Sequence, residues 1–219
     1  MFLETLSTLL ESTLATIYMV IVAGMTAFIF GLPIAIGLTV TAKGMFYENI
    51  YVHKILSSIV TIGRSVPFVI LMVAIIPFTR FVVGTSIGTA AAMVPLSVAA
   101  IPFFARVVEG KLAGVNPGLI EAAQVMGSSP MQIIYKVLLP EAVPGIANAC
   151  TILFVSLTEY SAMAGAVGGS GLGNMAIQYG YYQFNTPVMM QALVTLVALV
   201  LVIQFTGDFI TKKVSRHVS

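Results

Sequence analysis

Charge is what this sequence has least of. Its 219 residues include only 10 Lys or Arg and 8 Asp or Glu, whereas a soluble domain carries about a quarter of its residues charged. Uncharged runs cover 12–42, 81–105 and 160–207. Each exceeds the roughly 20 residues an apolar helix needs to cross hydrocarbon. A soluble globular fold is thereby excluded, and the chain reads as an all-α integral membrane protein. The short alternating segments that mark a membrane β-barrel are missing too. With one cysteine, Cys150, no intrachain disulfide is available. Only Glu4 and Glu11 precede the first apolar run, which has no leading basic residue and is too long for a signal-peptide core. A net charge of +2 offers nothing to nucleic acid. His53 and His217 stand alone, away from any cysteine or carboxylate cluster, so no metal site is expected.

What is present sorts into five spans, at about 13–41, 57–79, 82–107, 140–163 and 187–210, in a single transmembrane domain covering 1–219. Gly31 and Pro33 make a kink plausible in the first, Arg64 falls inside the second, and Pro95 and Pro102 interrupt the third. With five spans, Lys43, Lys54, Arg64, Arg106, Lys111, Lys136, Lys212, Lys213 and Arg216 fall on one side, and Arg80 alone on the other. The positive-inside rule then puts the N-terminus outside and the C-terminus in the cytoplasm. Arg64 and Arg106 are expected to snorkel to cytoplasmic headgroups, and Arg106 to remain solvated rather than pair with Glu109.

Between the third and fourth spans, about 112–139, lies a polar-edged interlude that the same sorting makes cytoplasmic. Asn116-Pro117 suits a helix start. Leu119, Ala122, Ala123 and Met126 form an i, i+3, i+4, i+7 stripe, and Gly127 suits a left-handed stop. Ser129-Pro-Met-Gln132 reads as a capping box opening a second helix, with Pro140 marking a break before the fourth span. Two short helices joined by a sharp turn therefore face the cytoplasm.

This segment resembles the Glu-Ala-Ala loop of ABC importer permeases, carried here by Glu121, Ala122, Ala123, Gly127, Leu139 and Pro140, with Val137 where Ile is more usual. The stretches GRSVPF (63–68), IPFTRFVVGTSIG (76–88), ARVVEGKL (105–112) and EYSAMAGAVGGSGLGNMAIQYGYY (159–182) extend the resemblance to permease subunits of methionine importers. The resemblance implies the type I ABC importer permease fold, with the loop as a coupling helix pair in a bacterial inner membrane. It also implies a second copy of the chain, two ABC ATPase subunits that bind ATP and Mg below, and a periplasmic substrate-binding protein or lipoprotein above.

Glu159 is the outlier of the hydrophobic half, about 28 Å along a helix from Pro140. It reads either as a substrate-ammonium site or outer-gate latch, or as an interfacial carboxylate reaching water. Tyr160, Ser161 and Met163 follow it, and Met offers a soft surface to a thioether or other apolar chain; ordinary helix packing explains these three equally. Gly165–Gly173 lacks the Gly-Lys-Ser/Thr ending of a phosphate loop and has no strand ahead of it. It reads instead as an external turn, with Tyr179, Tyr181 and Tyr182 near the interface. No nucleophile–base pair or phosphate loop is present, so the chain is expected to be no enzyme and to draw energy from a partner. The first reading is an ATP-driven amino-acid importer subunit, methionine being the substrate the resemblance implies. A permease for another small polar substrate, a proton-coupled secondary transporter using Glu159, and an assembly subunit without a path remain open.

Overall fold

In a computed structural model, the protein is described over residues 2–166 and 168–218, with side chains over 6–165 and 168–215. Arg216 and His217 lie outside the described side chains, as do Glu4 and Val167. The described residues form a helical bundle. Its long helices are α1 (Phe2–Thr41), α5 (Thr89–Leu112), α8 (Leu139–Ala166) and α10 (Thr186–Val218), with α2 (Ile50–Ser65), α3 (Phe68–Ala74) and α4 (Ile76–Val83) between α1 and α5. Two short helices, α6 (Pro117–Val125) and α7 (Pro130–Ile133), lead through a π-helical turn, Ile134–Leu138, into α8. Past α8, a one-turn helix α9 (Leu172–Met175) and a second π-helical segment, Ala176–Tyr182, lead to α10.

The bundle centre is built on four-residue spacing. Along α1, Met19, Ala23, Ala27 and Ala35 are fully buried, and Gly31 occupies the remaining step of that row. Along α5, Ala92, Leu96, Ala100, Phe104, Val108 and Leu112 are buried at the same spacing. Small residues on one helix let the larger side chains of the other approach its backbone, which drives association where lipid is as apolar as leucine. At Gly31 a methyl group would lie 3.0 Å from the Ile101 carbonyl oxygen and 3.1 Å from the Phe104 ring. Ala142, Ala149, Leu153, Leu157 and Ala164 of α8 close the core from a third side.

Four helices are long and apolar enough to cross a membrane, and α2 and α3, meeting at 96°, pass the same test of length and composition only when taken together as a bent pair. The expected second span, 57–79, is therefore no continuous rod. Pro67 pushes Val66 into extended geometry (φ −82°, ψ 122°) and removes an N–H, so the helix ends at Ser65 and restarts at Phe68. The expected third span, 82–107, begins later, at Thr89, because Gly84 (φ 77°) closes α4 with a left-handed residue. The break expected at Pro140 does not occur. Leu139 N–H bonds to the Ile134 carbonyl, an i→i−5 bond in a wide turn that carries the chain unbroken past the proline.

The glycine-rich segment after α8 folds back against the bundle. Leu172 and Met175 are buried against α1 and α10. Gly165 and Gly173 face backbone so closely that neither has room for a side chain. The buried Thr16 hydroxyl donates to the Ser12 carbonyl at 3.0 Å and accepts the Leu172 amide at 3.0 Å, pinning α9 to α1. Nearby, Gly88 N–H donates to the Gly168 carbonyl at 2.9 Å, which sets the adjacent ends of α5 and α8 at one level. Thr16→Val keeps the shape but strands a buried amide. It should cost about 1–3 kcal/mol, read as a fall of about 2–4 °C per kcal/mol in the melting temperature of the solubilised protein. Thr26→Val, whose hydroxyl bonds only to the Val22 carbonyl of its own helix, should change the melting temperature far less.

Candidate functional site

At the end of the bundle where α5 gives way to α8, local sequence dictates a tightly specified helix–turn–helix. Asn116 Oδ1 accepts the Gly118 amide at 2.9 Å, and Pro117 occupies the first turn, where its missing N–H costs nothing. Gly127 sits at φ 78°. Gly127 N–H bonds to the Gln124 carbonyl at 2.9 Å and Ser128 N–H to the Ala123 carbonyl at 3.0 Å, the paired bonds of a Schellman stop. The next residue opens α7: Ser129 N–H donates to Gln132 Oε1 at 2.8 Å while Gln132 N–H donates to Ser129 Oγ at 3.4 Å.

The expected stripe of α6 does not face inward as a unit. Ile120 and Ala123 are buried, whereas Leu119, Ala122 and Met126 are exposed, along with Glu121 and Val125. The neighbours Val115, Ile133 and Ile134, all in the core, make Ile120 and Ala123 the inward face. The outward face is apolar as well: Val125 is 89% and Met126 78% exposed, with Met131 and Tyr135 exposed on the following turn. Sequence periodicity missed Val125 and Tyr135 because a residue apolar on both faces of a helix leaves no phase signal. Gly127 is exposed, Leu139 half-buried and Pro140 exposed. The six expected loop residues thus share the α6–α8 segment, with Leu139 and Pro140 at the root of α8.

The four pathway candidates diverge. Glu159 is exposed in a cleft between α8 and α10 beside Thr158, Ala162, Leu196, Val197 and Leu201. Tyr160 turns the other way and stacks on Phe68, ring centroids 4.9 Å apart and planes within 9°. Ser161 is buried with its hydroxyl on the Thr158 carbonyl at 2.7 Å, and Met163 is 47% exposed.

Tyr160 instead shares a pocket of about 170 Å³ with Gly63, Arg64, Phe68, Ala99 and Phe103, at the α2–α3 break. Arg64 is exposed at the rim of this pocket. Its guanidinium carbon lies 5.9 Å from the Phe103 ring centre, and Gly63 beside it packs on Pro102. Phe103 is about 21 Å along α5 from the Thr89 end at about 1.5 Å per residue, well inside the span. The expectation that Arg106 stays solvated rather than pairing is corrected, because it pairs with Glu109 at 2.7 Å, the carboxylate side chain being only 16% exposed. The sequence signal that would have found the pocket is Arg64-Ser-Val-Pro67, a cation beside a helix breaker within an apolar stretch.

Comparison with known proteins adds the following. The family model described as "Binding-protein-dependent transport system inner membrane component" matches residues 27–219. The "Probable D-methionine transport system permease protein MetI" of Vibrio cholerae serotype O1 is 52% identical over 209 residues, 95% of this chain and 93% of the relative. The D-methionine transport system permease protein MetI of Escherichia coli (strain K12) is 53% identical over 150 residues, 68% of this chain and 69% of the relative. Among solved structures, a chain of the MetNI methionine ABC transporter in an inward-facing conformation superposes with a TM-score of 0.94 at 51% identity, covering 95% of this chain and 97% of that one. A chain of an amino acid ABC transporter crystallised with histidines shares the fold, with a TM-score of 0.74 at 18% identity over 99% of this chain and 96% of that one.

Ser129→Ala removes the cap of α7 and should cost about 1 kcal/mol locally. Amide exchange at Gln132 and Ile133 should then quicken about five-fold, with no change along α5.

Proposed function

The chain belongs to the family of binding-protein-dependent transport system inner membrane components, and on that premise we propose that it is the membrane-spanning permease of an ATP-driven importer for methionine. It is a multi-pass inner-membrane permease; the chemistry of ATP is left to a separate subunit. The observation that carries the reading is the α6–α7 surface: a rigidly capped turn whose outward face is apolar at Leu119, Val125 and Met126 with Glu121 among them. Such a face is costly in water and stable once it lies in a groove of a partner.

In this reading two copies of the chain pair about a two-fold axis, each presenting one docking surface to one of two ATPases that bind ATP and Mg. A periplasmic substrate-binding protein or lipoprotein delivers the amino acid at the opposite end. The N-terminus lies outside and the docking surface and C-terminus lie in the cytoplasm. Movement of the ATPases shifts α6 and α7, and through the unbroken π turn it shifts α8, biasing the bundle between outward-open and inward-open states. Glu121, Ala122, Ala123, Gly127, Leu139 and Pro140 form the coupling element. Glu159, Tyr160, Ser161 and Met163 lie along the outer half of the moving helix, as pathway or gate.

The test is reconstitution of the complex in vesicles with labelled methionine. Glu121→Ala combined with Gly127→Val should abolish uptake, either by uncoupling it from ATP hydrolysis or by preventing co-purification of the ATPase. Uptake and substrate-stimulated hydrolysis both surviving at wild-type rates would sink the coupling assignment. Glu159→Gln should alter uptake only modestly. Uptake that a protonophore collapses while ATP depletion leaves it intact would instead favour a proton-coupled carrier working through Glu159.

A further inference from the structure

In the half of the bundle opposite the docking surface, two charges stand without an opposite charge in their own chain: Arg80 on α4 and Glu159 on α8. Among the described side chains the ion pair is Arg106–Glu109, at the other end. Arg80 Nε donates to the Ser86 hydroxyl at 3.2 Å, which leaves the two terminal N–H groups of the guanidinium free. Both charged residues are exposed, and both sit on apolar surface. Phe78, Phe81 and Val82 are exposed around Arg80. Glu159 lies in its cleft with Ala162, Leu196, Val197 and Leu201. The depths match as well. Glu159 lies about 10 Å along α8 from the Ala166 end, a level shared with Gly88 through its bond to Gly168. Thr79, next to Arg80, lines a small cavity with Gly88, Ala92 and Pro95, so α4 runs beside the first two turns of α5 in the same band. A charge at such a depth faces a cavity or a partner rather than lipid.

Resting on the reading as a permease that pairs about a two-fold axis, we propose that Arg80 of each copy clamps Glu159 of the partner subunit, so that two symmetric ion pairs latch the copies together opposite the docking surface. A two-fold contact is self-complementary, so a cationic patch and an acidic patch on one chain each meet their counterpart on the other. The free terminal N–H groups of Arg80 form a planar fork that fits both oxygens of a carboxylate. Ser86 holds Nε and so presets the direction of that fork. The exposed rings of Phe78 and Phe81 exclude water from the contact once it closes, which strengthens the attraction between the charges. The latch also joins unlike elements. Glu159 belongs to the helix that runs unbroken from the docking surface, whereas Arg80 lies beyond the α2–α3 break on a short helix. In this arrangement the pair holds that end of the dimer shut in one state and parts when the α8 helices separate. Glu159→Gln keeps an acceptor for the fork, which accounts for its modest expected effect.

The experiment reverses the charges one at a time and then together in the reconstituted complex. Arg80→Glu or Glu159→Arg alone sets like charges face to face and should cut methionine uptake about ten-fold. Both reversals in one chain restore the pair with its polarity inverted and should return uptake to within about two-fold of wild type. A second measurement reads the contact without transport. In a Cys150→Ala background, one chain bearing Arg80→Cys and another bearing Glu159→Cys are co-expressed with different tags and treated with a short thiol-to-thiol crosslinker. The expected product is a two-chain species carrying both tags. A combined reversal no better than the worse single one overturns the proposal. Where a reversed chain fails to assemble, the crosslink decides, and the absence of a product bearing both tags overturns it. A wild-type complex that imports no methionine would instead refute the importer reading, while the crosslink still tests the pairing.

Discussion

In hydrocarbon no water is available to satisfy a peptide group, and this single constraint organises the protein. Every N–H and C=O at membrane depth must find its partner inside the chain. Long helices meet that demand cheaply, and in α1, α8 and α10 the hydroxyls of Thr26, Thr39, Thr151 and Thr195 also fold back onto carbonyls four residues earlier. Departures from the helix are then informative, since each needs protein around it. The break at Val66-Pro67 is packed on Pro102 through Gly63. The inward-folded α9 is held by Thr16. Both departures are buttressed by close helix contacts that glycine and alanine permit.

The departures also divide the labour of the bundle. Before α8, the π turn at Ile134–Leu138 lets a capped surface helix run into a spanning helix without a hinge. The chain thus stays helical from α7 through Pro140 into α8. Some 30 Å further along that helix, Tyr160 stacks on Phe68, the first helical residue after the α2–α3 break. One continuous helix joins the outward apolar face at one end to the aromatic pocket beside the α2–α3 break. Packed helix bundles switch between discrete arrangements rather than deforming smoothly, and in the proposed importer the one-piece α8 would carry such a switch.

Much of this was legible in the residues. Apolar runs announced the spans, and the capping box at Ser129, the cap at Asn116 and the stop at Gly127 were each readable, because they are satisfied by bonds within four or five residues. The α6–α7 turn as a whole was legible for the same reason. The errors had a common source. Reading 57–79 as one continuous span averaged over Pro67, because a window sees composition and not direction. The stripe through Leu119 and Met126 was assigned to one face, yet both faces of α6 are apolar and only Ile120 and Ala123 turn inward.

By itself, then, the sequence determined the solvent in which the chain lives, the helices that solvent requires, and the short-range signals that shape the α6–α7 turn. Its residues also carry the resemblance that identifies the family. Tertiary structure alone decided what those helices bring together. Tyr160 meets Phe68 across 92 positions of chain, and Glu159, its immediate neighbour, turns to α10 instead. Leu172 finds Thr16 across 156 positions. Local pattern fixes which way a residue points on its own helix, but its neighbours depend on where other helices bend and how closely their small residues let them pack. Such contacts are paid for by long-range packing, and no window of sequence contains both sides of them.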